Sequence, residues 1–436
     1  MIIDFNKQII MLFKTVNLLG IVIYISNSLM AQSNTFQKDS LRISIDSAEH
    51  IFIDNNLMLL AQKYNIDAQK AQIIQAKLYP NPNINYSHGL YHSELKKFFA
   101  TGQDGEYAAS ISQVIILARK RNKQIQIAET NSKIAEYQFY DLLRTLKYTL
   151  RVDFYNIYFL QQSSKVYGEE IRSLQQIVKA FEQQKGKGYI SEKEVVRIKA
   201  QLYSLESEEN DLINQINDIQ SELRLVLQIK NNYIVPIVNE NHLDNLKPEQ
   251  FSIAQLIDTA YIDRTDLKIS RSTVELNKQF YNLQKALATP DITLQAGYDK
   301  QGSYIHNFNS LGFGMDIPIF NRNQGNIKSA KSSIDISSTL QKYNEATIEE
   351  QIARAFQKAI DNQKLSQKID PSFSNDIEKL EMEVMSNYQK RNIGLLEFID
   401  FYDSYKQNTL QLNAIKFNKI NALEDINFYT ATNLFN

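Results

Sequence analysis

Three landmarks of this chain occur twice, in the same order and roughly two hundred residues apart. Pro82-Asn-Ile84-Asn-Tyr86-Ser-His88 returns as Pro290-Asp-Ile292-Thr-Leu294-Gln-Ala296, and Ser110-Ile-Ser-Gln-Val-Ile-Ile116 as Gly314-Met-Asp-Ile-Pro-Ile-Phe320. Gly188-Tyr-Ile190-Ser-Glu-Lys-Glu194-Val-Val returns as Arg391-Asn-Ile393-Gly-Leu-Leu-Glu397-Phe-Ile. Such a duplication replaces the two or three independent domains that 436 residues would otherwise suggest. It divides the chain into a first structural repeat over 32–230, a joining linker over 231–251 and a second repeat over 252–436.

Each repeat carries the same order of signals. A helical stretch (47–78; 253–288) ends at a proline turn, and a pair of strands follows. The first pair covers 83–91, with Ile84, Tyr86 and Leu90 on one face, and 107–116, joined through Gly102-Gln-Asp-Gly105. The second covers 291–299, with Ile292, Leu294, Ala296 and Tyr298 on one face, and 308–320, joined through a loop with Gly302. Along the last strand Leu311, Phe313, Ile317 and Ile319 form an apolar stripe, with Asn309 expected on the opposite face. Strands of about nine to eleven residues are the length that crosses a bilayer when tilted.

Long helices come next. Residues 121–181 contain no Pro and one Gly, which predicts a helix of about 90 Å at 1.5 Å per residue. In the returning segment Val195, Ile198, Leu202, Leu205, Glu209, Leu212, Ile216, Ile219, Leu223 and Val226 alternate spacings of three and four, a coiled-coil seam. The second repeat follows the same plan over 324–390 and 397–430, with a break at Asp370-Pro371.

Four membrane-length strands cannot close a barrel, because the smallest transmembrane barrels have eight. An open sheet edge in lipid leaves backbone groups unpaired at several kcal/mol each. Chains must therefore pool their strands; two, three or four copies would each satisfy this.

The formal charge of −1, from 48 basic and 49 acidic residues, excludes a nucleic-acid partner read on charge. Mean hydropathy is −0.37, and no apolar run beyond the N-terminus is long enough for a membrane helix. Residues 1–31 read as a signal peptide: Lys7 and Lys14 precede an apolar core over 16–25, with cleavage after Ala31 and Met11 as an alternative start. The chain has no cysteine, so a cysteine-linked lipid anchor, disulfides and thiolate metal sites are all excluded.

No phosphate loop, zinc-protease motif or nucleophile elbow appears, so no catalytic residue, cofactor or metal site is assigned. His88 and His92 would lie about 13 Å apart on a strand, too far for one ion. Of Met58, Met315, Met382 and Met385 only the last pair shares a helix face, and core packing is its simpler reading. Ser191 and Glu194 have capping-box spacing. Glu397 and Asp400 stand at i and i+3 near a helix start, where the helix dipole favours a surface carboxylate pair.

Ile317-Pro-Ile-Phe-Asn-Arg-Asn-Gln-Gly-Asn326 and Tyr107-Ala-Ala-Ser-Ile-Ser-Gln113, set in this order of elements, resemble the TolC-type outer-membrane efflux channels. Within that family they resemble the outer-membrane subunits of cobalt–zinc–cadmium or copper efflux systems. One departure is Ala118-Arg-Lys-Arg121, where those relatives usually carry Gly-Gly-Lys-Arg.

The resemblance implies a mixed α+β membrane protein, a homotrimer in which four strands per chain pool into a twelve-stranded outer-membrane β-barrel above a periplasmic α-helical barrel. It implies a periplasmic adaptor and an inner-membrane pump of RND type as partners, heavy-metal cations as cargo, and no cofactor. Drugs or exported peptides remain open as cargo, and a periplasmic coiled-coil interaction protein is a remoter alternative.

It places the periplasmic gate at Glu397 and Asp400. Adaptor-docking tips fall at Gly186, Gly188, Tyr189, Ile190, Ser191 and Glu194, and at Asn392, Ile393, Gly394 and Leu395. The membrane-boundary turns are Arg119, Lys120 and Arg121, expected to meet lipid phosphates, and Asn321, Arg322 and Asn323.

Overall fold

The computed structural model describes residues 39–435 except 104, 302, 303 and 371. The expected leader, with its cleavage site and start, lies outside the described residues, as do the loop residue Gly302 and the helix-breaking Pro371. The first repeat runs β1 (Ser40–Ser44), α1 (Ile45–Asn55), α2 (Leu57–Ala76), β2 (Asn83–His88), a short pair β3 (Tyr91–His92) and β4 (Lys97–Phe98), β5 (Tyr107–Ile115), α3 (Lys120–Lys185) and α4 (Glu192–Leu227). The linker carries β6 (Tyr233–Ile237) and α5 (Glu240–Asp244), and the second repeat runs α6 (Ile253–Asp263), α7 (Thr265–Leu287), β7 (Ile292–Asp299), β8 (Phe308–Met315), α8 (Gln324–Gln367), α9 (Phe373–Gln389) and α10 (Leu395–Thr430). No described helix is long and apolar enough to cross a membrane.

The two strand pairs join into one antiparallel sheet in the order β2-β5-β7-β8. Residues opposite one another share a face, and the register sorts the sheet by polarity. One face carries Ile84, Tyr86, Ile111, Ile115, Ile292, Leu294, Ala296, Leu311, Phe313 and Met315, with His88, Gln113 and Asn309 as polar exceptions. The other carries Asn83, Asn85, Ser110, Ser112, Thr293, Gln295, Ser310 and Gly312. Among the described residues the outer part of the apolar face is uncovered: Leu311 is 87% exposed and Phe313 77%.

Several expected bounds and facings are corrected. β2 stops at His88, which leaves Leu90 outside the strand, and β7 starts at Ile292. β8 stops at Met315 rather than Phe320, because Met315 pairs with the first residue of β7 and nothing continues beyond it; Pro318 also lacks an N–H. Three of the four strands are therefore shorter than nine residues. Ladder-like bonds from Gly89 N–H to Glu106 O (2.8 Å) and from Lys300 N–H to Tyr107 O (3.0 Å) extend the pairing past the assigned ends. Asn309 pairs with Tyr298 and so shares the face of Leu311 and Phe313, contrary to expectation.

The expected single helices each break once, at equivalent points of the two repeats. Asn56 ends α1 and starts α2: its Oδ1 accepts from Met58 N–H and Leu59 N–H, both 3.0 Å, while its Nδ2 donates to Val226 O at 2.8 Å. Arg264 separates α6 from α7, buried and clamped on Asp266 through Nε (3.0 Å) and Nη2 (2.6 Å). Beyond these kinks α3 is continuous for 66 residues, about 100 Å at helical rise. In α4, seven of the ten seam positions are buried, with Glu209, Leu212 and Ile219 partly so. The break expected at Asp370 is present, between α8 and α9.

The helices line up in the same order as the strands. α2 packs on α3, α3 on α7 and α7 on α8. Farther from the sheet α10 takes a place beside α3, with α4 on the far side of α3 and α9 beside α10. At mid-height β6, within the joining linker, pairs in parallel with β1, tying the start of the described chain to the junction of the repeats. Two apolar cores flank this level, one around Phe52, Phe154 and Leu227 and one around Leu256, Ile348 and Leu423. A third lies at the hairpin tips.

Candidate functional site

The tips of both helical hairpins meet at the end of the molecule away from the sheet. At the first tip α3 runs out at Gly186, and Gly188 takes φ +76°. Tyr189 N–H then returns to Gln184 O at 3.0 Å, closing the helix end. Tyr189 is left exposed and Ile190 partly buried. Ser191 opens α4 with a complete capping box: Glu194 N–H donates to Ser191 Oγ (3.3 Å), and Ser191 N–H donates to Glu194 Oε2 (3.0 Å). These bonds from the Ser191 hydroxyl and backbone hold the Glu194 carboxyl below its ordinary range. Lys185 spans the tip to Glu192 at 2.9 Å.

At the second tip Arg391 takes the position of Gly188 and the same left-handed backbone, φ +62°. Asn392 N–H closes the helix end on Asn387 O at 2.9 Å. The Arg391 guanidinium crosses to the first tip, Nη2 donating to Gln184 Oε1 at 2.9 Å. Ile393 and Leu395 join the tip core, and Gly394 caps α10 without a side chain. Glu397 and Asp400 are exposed on the first turns of α10, while their neighbours Phe398 and Ile399 are buried.

Behind the tips the hairpins are fastened side by side. Phe398 stacks on Tyr388 (centroids 4.2 Å) and contacts Tyr402 (4.4 Å). Lys406 of α10 donates to Glu208 of α4 at 2.8 Å, and Gln201 Nε2 donates to Asp403 at 2.9 Å. Sequence reasoning missed this cross-hairpin set. Its only sequence signals are a charged residue and two tyrosines lying on an otherwise apolar helix face. Met385 belongs to the tip core and Met382 is exposed.

At the other end of the helices the boundary turns are built more tightly than their composition implies. Ala118 and Arg119 both take left-handed backbone, φ +53° and +56°, at the positions where the relatives' glycines would fall. Lys120 is 5% exposed, and its Nζ donates to Asp291 Oδ1 at 2.7 Å, the same oxygen that accepts from Leu117 N–H at 2.8 Å. It therefore locks β5 to the start of β7 and is not free for a lipid phosphate, which corrects the expectation. Arg121 lies 3.8 Å above the Tyr79 ring and donates to Lys77 O. Arg119 alone of the three is exposed, and its side chain makes no hydrogen bond or salt bridge among the described residues.

In the second repeat Asn323 is left-handed (φ +59°), and its Nδ2 reaches Gln284 O at 2.7 Å. Asn321 Oδ1 accepts from Asn323 N–H, and Arg322 Nε donates to Ile319 O. Ile317, Ile319 and Phe320 just before them are exposed. Among the described residues no group of three or more His, Cys, Asp or Glu side chains could hold a metal ion.

Comparison with known proteins agrees with this geometry. Residues 50–227 match the family model for Outer membrane efflux protein. The cobalt-zinc-cadmium resistance protein CzcC of Cupriavidus metallidurans is 20% identical over 294 residues, 67% of each chain. Among solved structures, a membrane protein from Pseudomonas aeruginosa superposes with a TM-score of 0.70 at 15% identity, covering 88% of this chain and 92% of that one. The Campylobacter jejuni CmeC outer membrane channel gives 0.70 at 13% identity, covering 88% and 85%.

Proposed function

We propose that this chain is a TolC-type outer-membrane efflux channel, the passive exit duct of a tripartite pump, built as a homotrimer. The observation that carries the reading is the matched order of strands and helices. The sheet β2-β5-β7-β8 and the helix row α2-α3-α7-α8 both leave the same two segments at their open edges. The helical edges are apolar: Leu57, Leu60 and Tyr64 are exposed on α2, as are Ile336, Leu340 and Tyr343 on α8, each trio at spacings of three and four. Joining β8 and α8 of one copy to β2 and α2 of the next closes both layers with one rotation. Three copies give a twelve-stranded barrel with its apolar face toward lipid and its Asn, Ser and Gln face toward water.

In this reading residues 1–31 direct export and are removed, and the linker over 231–251 sits at the equator between the repeats. Arg119 and Arg322 stand at the headgroup level of the periplasmic leaflet. The tips at Gly186–Glu194 and Asn392–Leu395 receive a periplasmic adaptor, which connects the duct to an RND-type inner-membrane pump. Glu397 and Asp400, repeated three times around the axis, form a cation-attracting constriction. The cargo we propose is heavy-metal cations, supported by the family likeness to CzcC and by the acidic tip. Export through such a duct needs no tight metal site.

The test has two parts. The mature protein should fractionate with the outer membrane as a trimer that dissociates on heating, and recovery as a soluble monomer would sink the reading. Deleting the gene should sensitise cells to cobalt, zinc, cadmium or copper salts; sensitivity confined to drugs or dyes would keep the duct and overturn the cargo.

A further inference from the structure

The seam between the two hairpins holds more negative charge than it can balance. Glu170 of α3 is 4% exposed, and its Oε1 has no hydrogen-bond partner. It faces charge from every helix packed against it: Glu208 on α4, Glu381 on α9, and Asp403 and Lys406 on α10. Tyr167 on its own helix and Tyr402 on α10 complete the surroundings. Lys406 is the one cation among these groups, and it is committed: it donates to Glu208 at 2.8 Å and lies 3.6 Å from Asp403. The tyrosine hydroxyls are committed too, Tyr167 to Glu208 (3.3 Å) and Tyr402 to Glu381 (2.6 Å). One ammonium cannot offset four carboxylates, and Oε1 of the most deeply buried of them has no donor among the described residues. Burial pushes the Glu170 carboxyl up, the Lys406 ammonium pulls it partly back, and the carboxylates of Asp403, Glu208 and Glu381 add to the rise, to about 8.

We infer that Glu170 is the proton-operated part of a latch between the hairpins: protonated, it lets the second hairpin close on the first; ionised, it drives them apart. The sign follows from the two states. With the hairpins joined, Glu170 holds its proton to about pH 8. With them separated it meets water and titrates as an ordinary carboxyl near 4.3. Joining therefore takes up a proton. The stabilisation of the joined state is complete below the ordinary carboxylate value and is lost as pH rises through the raised one. Between the two values each pH unit shifts the ratio of joined to separated hairpins by up to about tenfold. Acid holds the tip shut and alkali loosens it.

The latch rests on the proposed channel only in that separated hairpins mean an open duct, so the experiment reads the two separately. The chain has no native cysteine, so spin labels at Lys179→Cys on α3 and Lys390→Cys just past α9 report the hairpin distance. They are read in trimers assembled with excess unlabelled chain, from pH 6 to pH 9. The distance distribution should broaden and lengthen toward pH 9 in the wild-type background and stay short and narrow with Glu170→Gln. Should that variant fail to assemble, Glu170→Met, similar in length and always neutral, replaces it. Distances that do not change with pH, or that change equally in both backgrounds, overturn the latch. Bilayer conductance over the same range is the second reading. A distance change without a conductance change would keep the latch and count against the duct.

Discussion

Asn56 fills three roles at once, and its loss is correspondingly expensive. Replacing it with Ala removes the cap of α2, worth about 1 kcal/mol, and strands the buried Val226 carbonyl at about 1–3 kcal/mol more. We expect Asn56→Ala to lower stability by about 2–4 kcal/mol, read as a fall in the trimer's heat-dissociation midpoint. A change within error would mean that water replaces the amide. Lys120 is the second residue whose role is structural. Lys120→Met leaves Asp291 with the Leu117 N–H but without its cation. Because Asp291 is itself about a third exposed, the expected loss is about 1–3 kcal/mol, below that of a fully buried pair. Arg119→Ala should cost little stability, since its side chain is exposed and makes no capping hydrogen bond at the start of α3. Neither kink nor boundary pair was legible in the sequence for the same reason: Asn56, Arg264 and Lys120 read as ordinary polar surface until their distant partners Val226, Gln351 and Asp291 are brought to them.

Among the elements, the sheet is the sharpest case of what period reveals and what it hides. Alternation placed Leu311 and Phe313 on one face of β8, and the register agrees. It could not fix where β8 ends, because Ile317 and Ile319 keep the alternation after the partner strand has run out. Polarity, weighed above the strict period of two, is what puts Asn309 on the wrong face. The proper control for a charge on the lipid stripe is therefore Ser310, which pairs with Gly297 on the polar face. Phe313→Arg should cost roughly 2–4 kcal/mol near mid-membrane and sharply reduce assembled trimer, while Ser310→Arg should assemble. Equal recovery of the two would invert the facing of the sheet. The long helices were the most legible elements: heptads reach across dozens of residues, and seven of ten seam positions in α4 proved buried. The kinks interrupt the helices without interrupting the apolar pattern, so a reading by period ran straight through them.

At the scale of the whole molecule, the proposed closure and gating make separate demands on different helices. In the proposed trimer, closure would use α2 and α8. Tyr343→Asp places a charge on the exposed apolar stripe of α8, so it should reduce trimer recovered from membranes, whereas an Asp at exposed Asn408 of α10 should not. The proposed gate lies at the tips, where the capping box at Ser191–Glu194 serves structure, while Glu397 and Asp400 are exposed and make no side-chain hydrogen bond or salt bridge among the described residues. That contrast sets the last prediction. If three copies bring Glu397 and Asp400 around one axis, they concentrate up to six carboxylates at a constriction, which attracts cations and binds multivalent ones most strongly. Glu397→Gln with Asp400→Asn keeps the shapes and removes the charge. In planar bilayers the double variant should lose cation selectivity and most of its block by divalent and trivalent cations, and the loss should be largest at low salt, where screening is weakest. Glu194→Gln should leave selectivity nearly intact, because its carboxyl is turned back onto Ser191. Unchanged selectivity and block in the double variant would return Glu397 and Asp400 to the ordinary surface of a helix start, and the constriction would have to be sought deeper, at the cross-hairpin seam around Lys406.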